Sequence, residues 1–427
     1  MRDRWNHFPN STVAKYEQLS QVVVLNTVDW ESYDRAVRSE DILALRRIAP
    51  VLWHELRHWV DHCSTVWGQR DLVGAFEALS ARAVGSEYDY WKIVEYVRRA
   101  SKDRFDTYFT TIENDHPVSG TRGWMAHSSA GVRFDELGKP DESKPILFTR
   151  FARLDGSLAC RVPLSVASLL EVSAMYFEWH MSARLAAKLP EPGATVQQEV
   201  IKEQLQQYLF TPSLAEYSVA VHLFANKQHL TDGLLAFEAA AALAFIALNL
   251  TDDLFSEMRV PETTALWGSR NRSFLDQKDR GYAYFLLTQA APPINRNNSI
   301  GDWMDATVRA AGLPPLQTIH ELAHSERARL RESVLSGSMA DEYRKDLLRV
   351  LLKGEIVATR CIPFPTLDNA DAALTETGMP AIQFSDLAVL EGRIAKKYED
   401  AGSFYGWYEH RNKLVNRLSE FVDVCGL

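Results

Sequence analysis

Helical periodicity governs most of this chain, and strand-like alternation is confined to a few short runs. Residues 21–27 (QVVVLNT) are β-branched and apolar and predict a strand. Ser39-Glu40-Asp41 predicts a helix start, with that helix running toward Ile48 and breaking before Pro50. In residues 51–63 (VLWHELRHWVDHC) apolar side chains fall at Val51, Leu52, Leu56, Trp59, Val60 and Cys63, the spacing of a buried or half-buried helix. Pro50 suits its first turn, where a missing N–H costs nothing, and Gly68 lies beyond its end. Helical patterns follow over 71–83 and, with one polar face, over 87–100.

The texture then changes. Residues 113–144 are rich in Gly, Ser, Asp, His and Pro and read as a long loop. Strand-like runs at 146–154 and 157–164 flank Asp155-Gly156, which predicts a hairpin. A helix is expected from Ser165 toward Leu189, broken by the Pro190–Gly193 stretch. From Val196 onward helix follows helix, punctuated by prolines. The expected fold class is therefore mainly α with a small β component (α+β). A mixed part over 1–192 is followed by an all-helical part over 193–427.

The composition is that of a globular protein with 427 residues and a formal charge of −9, which argues against a general nucleic-acid or anionic-membrane binder. The basic run at 327–331 reads as a solvated helix face. Cys63, Cys160, Cys361 and Cys425 are scattered, suggesting neither a disulfide framework nor a cysteine zinc site. The N-terminus lacks the apolar stretch of a signal peptide, and 234–250, interrupted by Glu238, reads as a buried Ala-rich helix rather than a membrane span. A cytoplasmic location is the default expectation.

The chemistry concentrates in His54-Glu55-Leu56-Arg57-His58, an H-E-x-x-H motif. Residues i and i+4 share a helix face, so both imidazoles can address one metal ion while Glu55 stands beside it as a general base. Two histidines need a third protein ligand. His62 continues the four-residue series, but a straight helix rarely lets three such residues share one ion, so a supporting role is expected for it. Asp61 is expected to orient an imidazole by accepting its distal N–H.

The motif resembles that of zincin metallopeptidases. Ser64, standing where a metzincin has its third histidine, turns the resemblance to the gluzincin type. There the third ligand is a glutamate on a separate helix. Glu171, in Leu169-Leu170-Glu171-Val172-Ser173-Ala174, resembles that glutamate helix, and small residues at Ser173 and Ala174 would let it approach the motif helix closely. Glu77 competes through its spacing, although the supporting Asp of that arrangement is Ala81 here; Glu178 and Glu238 also carry suitable patterns. The chain is also similar to bacterial and phage-type H-E-x-x-H proteins with a following aromatic residue and a Ser-Thr-x-x-Gly stretch, here Trp59 and Ser64–Gly68.

The resemblance implies a zincin-like domain over 1–192 and a Zn²⁺ held by His54, His58 and Glu171. It implies peptide or protein substrates and an oxyanion donor such as Tyr176 or His180, while the charge and hydropathy already lead one to expect no nucleic-acid or membrane partner. The 146–164 hairpin would supply a strand edge for the substrate. The competing expectations are a non-catalytic helical interaction protein with a structural or relic metal site, and a hydrolase of non-peptide amides or esters.

Overall fold

The computed structural model describes residues 13–84, 90–105, 107–112, 123–135, 137–297, 299–392 and 394–398, with isolated positions beyond. The start of the helix expected over 87–100, the first third of the expected loop and Cys425 lie outside them. Among the described residues the chain is mainly α with a small β component. In order it runs β1 (Ala14–Glu17), β2 (Val22–Leu25), α1 (Trp30–Arg38), α2 (Ile42–Ser64), α3 (Val66–Val84), α4 (Trp91–Asp103), β3 (Thr111–Ile112), β4 (Met125–Phe134), β5 (Pro140–Ala152), β6 (Leu158–Pro163) and α5 (Val166–Ala186). Then come α6 (Gly193–Leu209), α7 (Ala215–Gln228), α8 (Gly233–Asn249), α9 (Asp252–Phe255), α10 (Ser269–Asp276), α11 (Arg280–Ala290), α12 (Ile300–Ala310), α13 (Leu316–Ser336), α14 (Asp341–Arg360), α15 (Leu367–Thr377), β7 (Ala381–Phe384), β8 (Ala388–Glu391) and β9 (Ile394–Lys397).

The motif helix is longer than its sequence suggests. Asp41 accepts hydrogen bonds from the Leu43 and Ala44 N–H groups, and α2 continues through a buried Pro50 as one helix of 23 residues. The expected break does not occur. Side-chain burial on both sides of Pro50 outweighs the one backbone hydrogen bond that proline removes. At its C-terminal end α2 is crowded by two helices that approach through glycine. A Cβ on Gly68 would meet the His62 carbonyl oxygen at 2.3 Å, and one on Gly354 of α14 would meet that of Cys63 at 1.8 Å.

Helix α5 begins at Ser165, whose side chain caps the Ser168 N–H, and it packs along α2 on one side and α8 on another. Ser173 and Ala174 are fully buried at this contact, as their small size led one to expect. Because α5 is covered on all sides, one hydrophobic core runs from Val23 and Leu56 through Leu169 and Phe237 to Phe364 and Phe384. Its members come from both sides of residue 192, and a smaller cluster of Phe105, Ile146 and Phe148 lies before it. The expected all-helical second part is also incomplete. Strands β7–β9 lie within it, and β7 pairs in parallel with β2, Val22 opposite Ala381, in a sheet of order β1-β2-β7-β8-β9.

A second sheet, β3-β6-β5-β4, contains the expected hairpin, with Gly156 at φ +83° in its turn. It also corrects the long loop over 113–144, because residues 125–134 form β4 and pair antiparallel with β5. The small and polar residues of β4 belong to an exposed, lightly covered strand. Gly131 leaves room for the Phe148 ring, which an added Cβ would meet at 2.6 Å. No single described helix is long and apolar enough to cross a membrane.

The core holds a histidine with a thermodynamic consequence. His222 is enclosed by Trp124, Phe151 and Phe210, its Nε2–H donates to the Leu209 carbonyl at 2.6 Å, and burial pushes its pKa down to about 4. The unfolded chain protonates this ring near pH 6.5, so between there and about pH 4 the unfolded state binds the extra proton. Stability is full above that window and is lost as pH falls through it, by up to about 3 kcal/mol for this one group. Denaturant midpoints across that range should fall more steeply for wild type than for His222→Gln; parallel curves would show that His222 is not held neutral.

Candidate metal centre

Three side chains from two helices converge where α2 and α5 cross. His54 and His58, one turn apart on α2, place their Nε2 atoms 3.3 Å from each other. Glu171 reaches in from α5, with Oε2 3.5 Å from His54 Nε2 and Oε1 3.8 Å from His58 Nε2. All three donor atoms lie within 4.8 Å of one another, and this is the one such cluster among the described residues. Ligand atoms on a tetrahedral Zn²⁺ are separated by about 3.3 Å, so the triangle is close to the size zinc requires. The buried Glu171 Oε2 also lacks a well-aligned hydrogen bond. Two imidazole nitrogens, which a cation would bind in their neutral form, and a carboxylate facing one point form a donor set suited to a divalent cation, and the residues fit the group.

The surroundings favour positive charge. Burial opposes an imidazolium at His54, but the Glu171 and Glu178 carboxylates outweigh it and raise this pKa well above the usual histidine range. Glu178, two turns beyond Glu171 on the same face of α5, accepts from His54 Nδ1 at 2.9 Å. That contact fixes the tautomer that leaves Nε2 as the donor toward a metal. Glu178 is thus an orienting group for the first histidine. Its i+7 spacing from Glu171 was visible in the sequence, but its partner was not. With zinc in the cluster, Glu178→Gln should weaken its hold about 10–100-fold, read by competition with a chromophoric chelator. An unchanged affinity would mean that His54 is held by other contacts.

Glu55 lies on the wall of the same cavity, which encloses about 330 Å³. Burial pushes its pKa up to about 7, with Glu171 and Glu178 acting in the same direction against His54 and the Tyr16 backbone N–H, which donates to its carboxylate. That N–H comes from β1, the edge strand of the five-stranded sheet, and Val13 to Tyr16 form one rim of the cavity. Val51, Met175, Trp179, Leu214, Tyr208 and Tyr217 complete its mostly apolar wall. The strand bordering the site is therefore β1. The 146–164 hairpin contributes no residue to the cavity wall.

Several expectations move. Asp61 does not orient an imidazole: it is fully buried and pairs with Arg57, whose Nε lies 3.0 Å from Asp61 Oδ1. His62 touches the His58 backbone carbonyl through Nδ1 at 3.0 Å, not the ligand ring, and packs between Tyr16 and Trp67. Its place is structural, pinning the last turns of α2. Glu77 is exposed on α3 away from the cluster, and Glu238 lines another cavity together with His180. Tyr176 is buried against Phe177 and Phe364, and His180 Nε2 faces the Leu234 carbonyl. Neither reaches the metal cluster's cavity.

Three other phenols line it: Tyr16, Tyr208 and, on α7, the half-buried Tyr217. Burial first and the charge of Glu171 second hold Tyr217 in its protonated, hydrogen-bond-donating form. Nothing near Tyr217 in the sequence signals this, because α7 is brought to the site only by its packing on α5. Comparison with known families, curated proteins and solved structures returns no match to this chain, by family model, by sequence or by fold.

Proposed function

We propose that this chain is a zinc-dependent metallopeptidase whose centre is His54, His58 and Glu171. The observation that carries the reading is the convergence of those three donors with Glu55 on the wall of one cavity. A structural metal site has no use for a further, non-ligating carboxylate in that position. Zinc bound there supplies Lewis acidity, which makes a water acidic and polarises a carbonyl. Glu55 takes the water's proton on its carboxylate and passes it to the leaving amine; a group titrating near neutrality can do both. Glu178 keeps His54 in register, and the Tyr217 O–H donates to the oxygen that gains charge on the scissile carbonyl. An extended substrate lies along β1, adding a strand at the sheet's edge, with an apolar side chain against Val51, Met175 and Trp179.

Metal content and peptide hydrolysis, measured together on wild type, His54→Ala and Glu171→Ala, test the reading. One zinc per chain in wild type, lost in both variants along with cleavage of an unfolded protein substrate, is the expected result. Stoichiometric zinc without cleavage of any peptide would move the assignment to an interaction protein with a structural metal. No zinc in any of the three would remove the centre altogether.

A further inference from the structure

A second cavity, of about 900 Å³, opens between α3, α4, the β4–β5 hairpin and the first turns of α5 and α11, and shares no lining residue with the metal centre. Its volume lies in the range of small-molecule sites. On its wall Arg133, from β4, is half-buried, and among the described residues its guanidinium makes no hydrogen bond or ion pair. Its loss of hydration exceeds the longer-range attraction of Asp279 and Asp141. Two further cations face the same space without a close carboxylate partner. Lys278 rests 5.9 Å from the centre of the Phe255 ring, and Arg99 holds its nearest carboxylate oxygen, on Asp71, only at 3.9 Å.

Four of the six carboxylates on this wall accept hydrogen bonds from other groups, while Glu77 and Glu95 stand exposed at its rim. Asp252 pairs with Arg70, Asp71 accepts from Gln18, Asp103 accepts from the Trp67 indole, and Asp279 caps α11 through the Tyr282 N–H. In a chain of net charge −9, the described lining of this cleft carries eight Lys and Arg against six Asp and Glu. A half-buried guanidinium ordinarily has a hydrogen-bonded partner, and among the described residues none stands close to Arg133.

We propose that this cleft binds a small phosphate ester, with the phosphate oxygens on the Arg133 fork and Lys278. A guanidinium presents paired N–H donors that match two phosphate oxygens, and a second cation suits a group carrying more than one charge. The first turn of α5, with N-cap Ser165, opens on the same space and favours negative charge there. Trp67, Phe105 and Pro145 give the organic part of the ligand an apolar wall.

Calorimetric titration at physiological salt tests this on the full chain, with pyrophosphate and AMP as probes and succinate as a dicarboxylate of similar charge. Both phosphates should bind wild type, at least tenfold more weakly to Arg133→Met and several-fold more weakly to Lys278→Met, with zinc content unchanged in each. Arg133→Lys, which keeps the charge and loses the fork, serves if Arg133→Met fails to fold. Absence of binding to wild type, or equal binding to wild type and the Arg133 variant, overturns the proposal. Succinate binding as tightly as pyrophosphate overturns the assignment to phosphate. None of these outcomes depends on peptidase activity.

Discussion

Glu55→Gln should lower kcat for peptide hydrolysis by about 10²–10⁴-fold while the protein keeps one zinc per chain. Glutamine preserves the shape of the side chain and its ability to accept from the Tyr16 N–H, but it cannot accept the water's proton. The loss corresponds to about 3–5 kcal/mol of transition-state stabilisation. Because Glu55 faces the cavity beside the three donor atoms and is not one of them, its replacement separates catalysis from metal binding. Zinc content by atomic spectroscopy and turnover of a quenched peptide substrate check the two halves. Hydrolysis at the wild-type rate would remove Glu55 from the mechanism even with the metal in place.

The second large effect concerns stability. Arg57 and Asp61 are both fully buried, one turn apart on α2, and neither lines the cavity. The Arg57 guanidinium also donates to the Pro365 carbonyl at 3.0 Å and lies 4.8 Å from the centre of the Phe177 ring. It thereby ties α2 to α5 and to the segment before α15. Burial pushes the Asp61 pKa up to about 6, with Arg57 only partly restoring it, so the pair is expensive to keep charged and more expensive to break. Asp61→Ala strands the guanidinium and should cost about 3–5 kcal/mol in urea denaturation. Arg57→Met combined with Asp61→Leu should recover much of that loss, because an apolar pair of similar volume leaves no buried charge. A cost below about 1 kcal/mol for Asp61→Ala would mean that water reaches the pair.

The His54, His58 and Glu171 cluster was legible as a candidate because each of its parts depends on local spacing. The four-residue interval between His54 and His58 and the lone Glu171 on an otherwise apolar helix are properties of single helices. Asp61 misled for the same reason. Its interval of three residues from His58 and of four from Arg57 serves an imidazole or a guanidinium equally well, and only the packing of α5 and the segment at Pro365 against Arg57 decides between them. Glu178 and Tyr217 needed the crossing of α5 with α2 and with α7 to acquire roles. β4 escaped detection because its Gly, Ser and His residues suit an exposed strand as well as a loop.

The chain's order along the sequence determined by itself the helix that carries His54, Glu55 and His58, the Ser165-capped helix that carries Glu171, the hairpin at Asp155-Gly156 and the predominance of helix, because each follows from local periodicity, capping or turn chemistry. The tertiary structure alone decided that β2 and β7 join distant stretches of the chain in one sheet, that one large core draws on both sides of residue 192, that β1 borders the candidate metal cavity, and that Arg133 has no close partner among the described residues. These depend on contacts between residues far apart in sequence, where pairing and burial are set by which faces meet and not by any pattern within one segment.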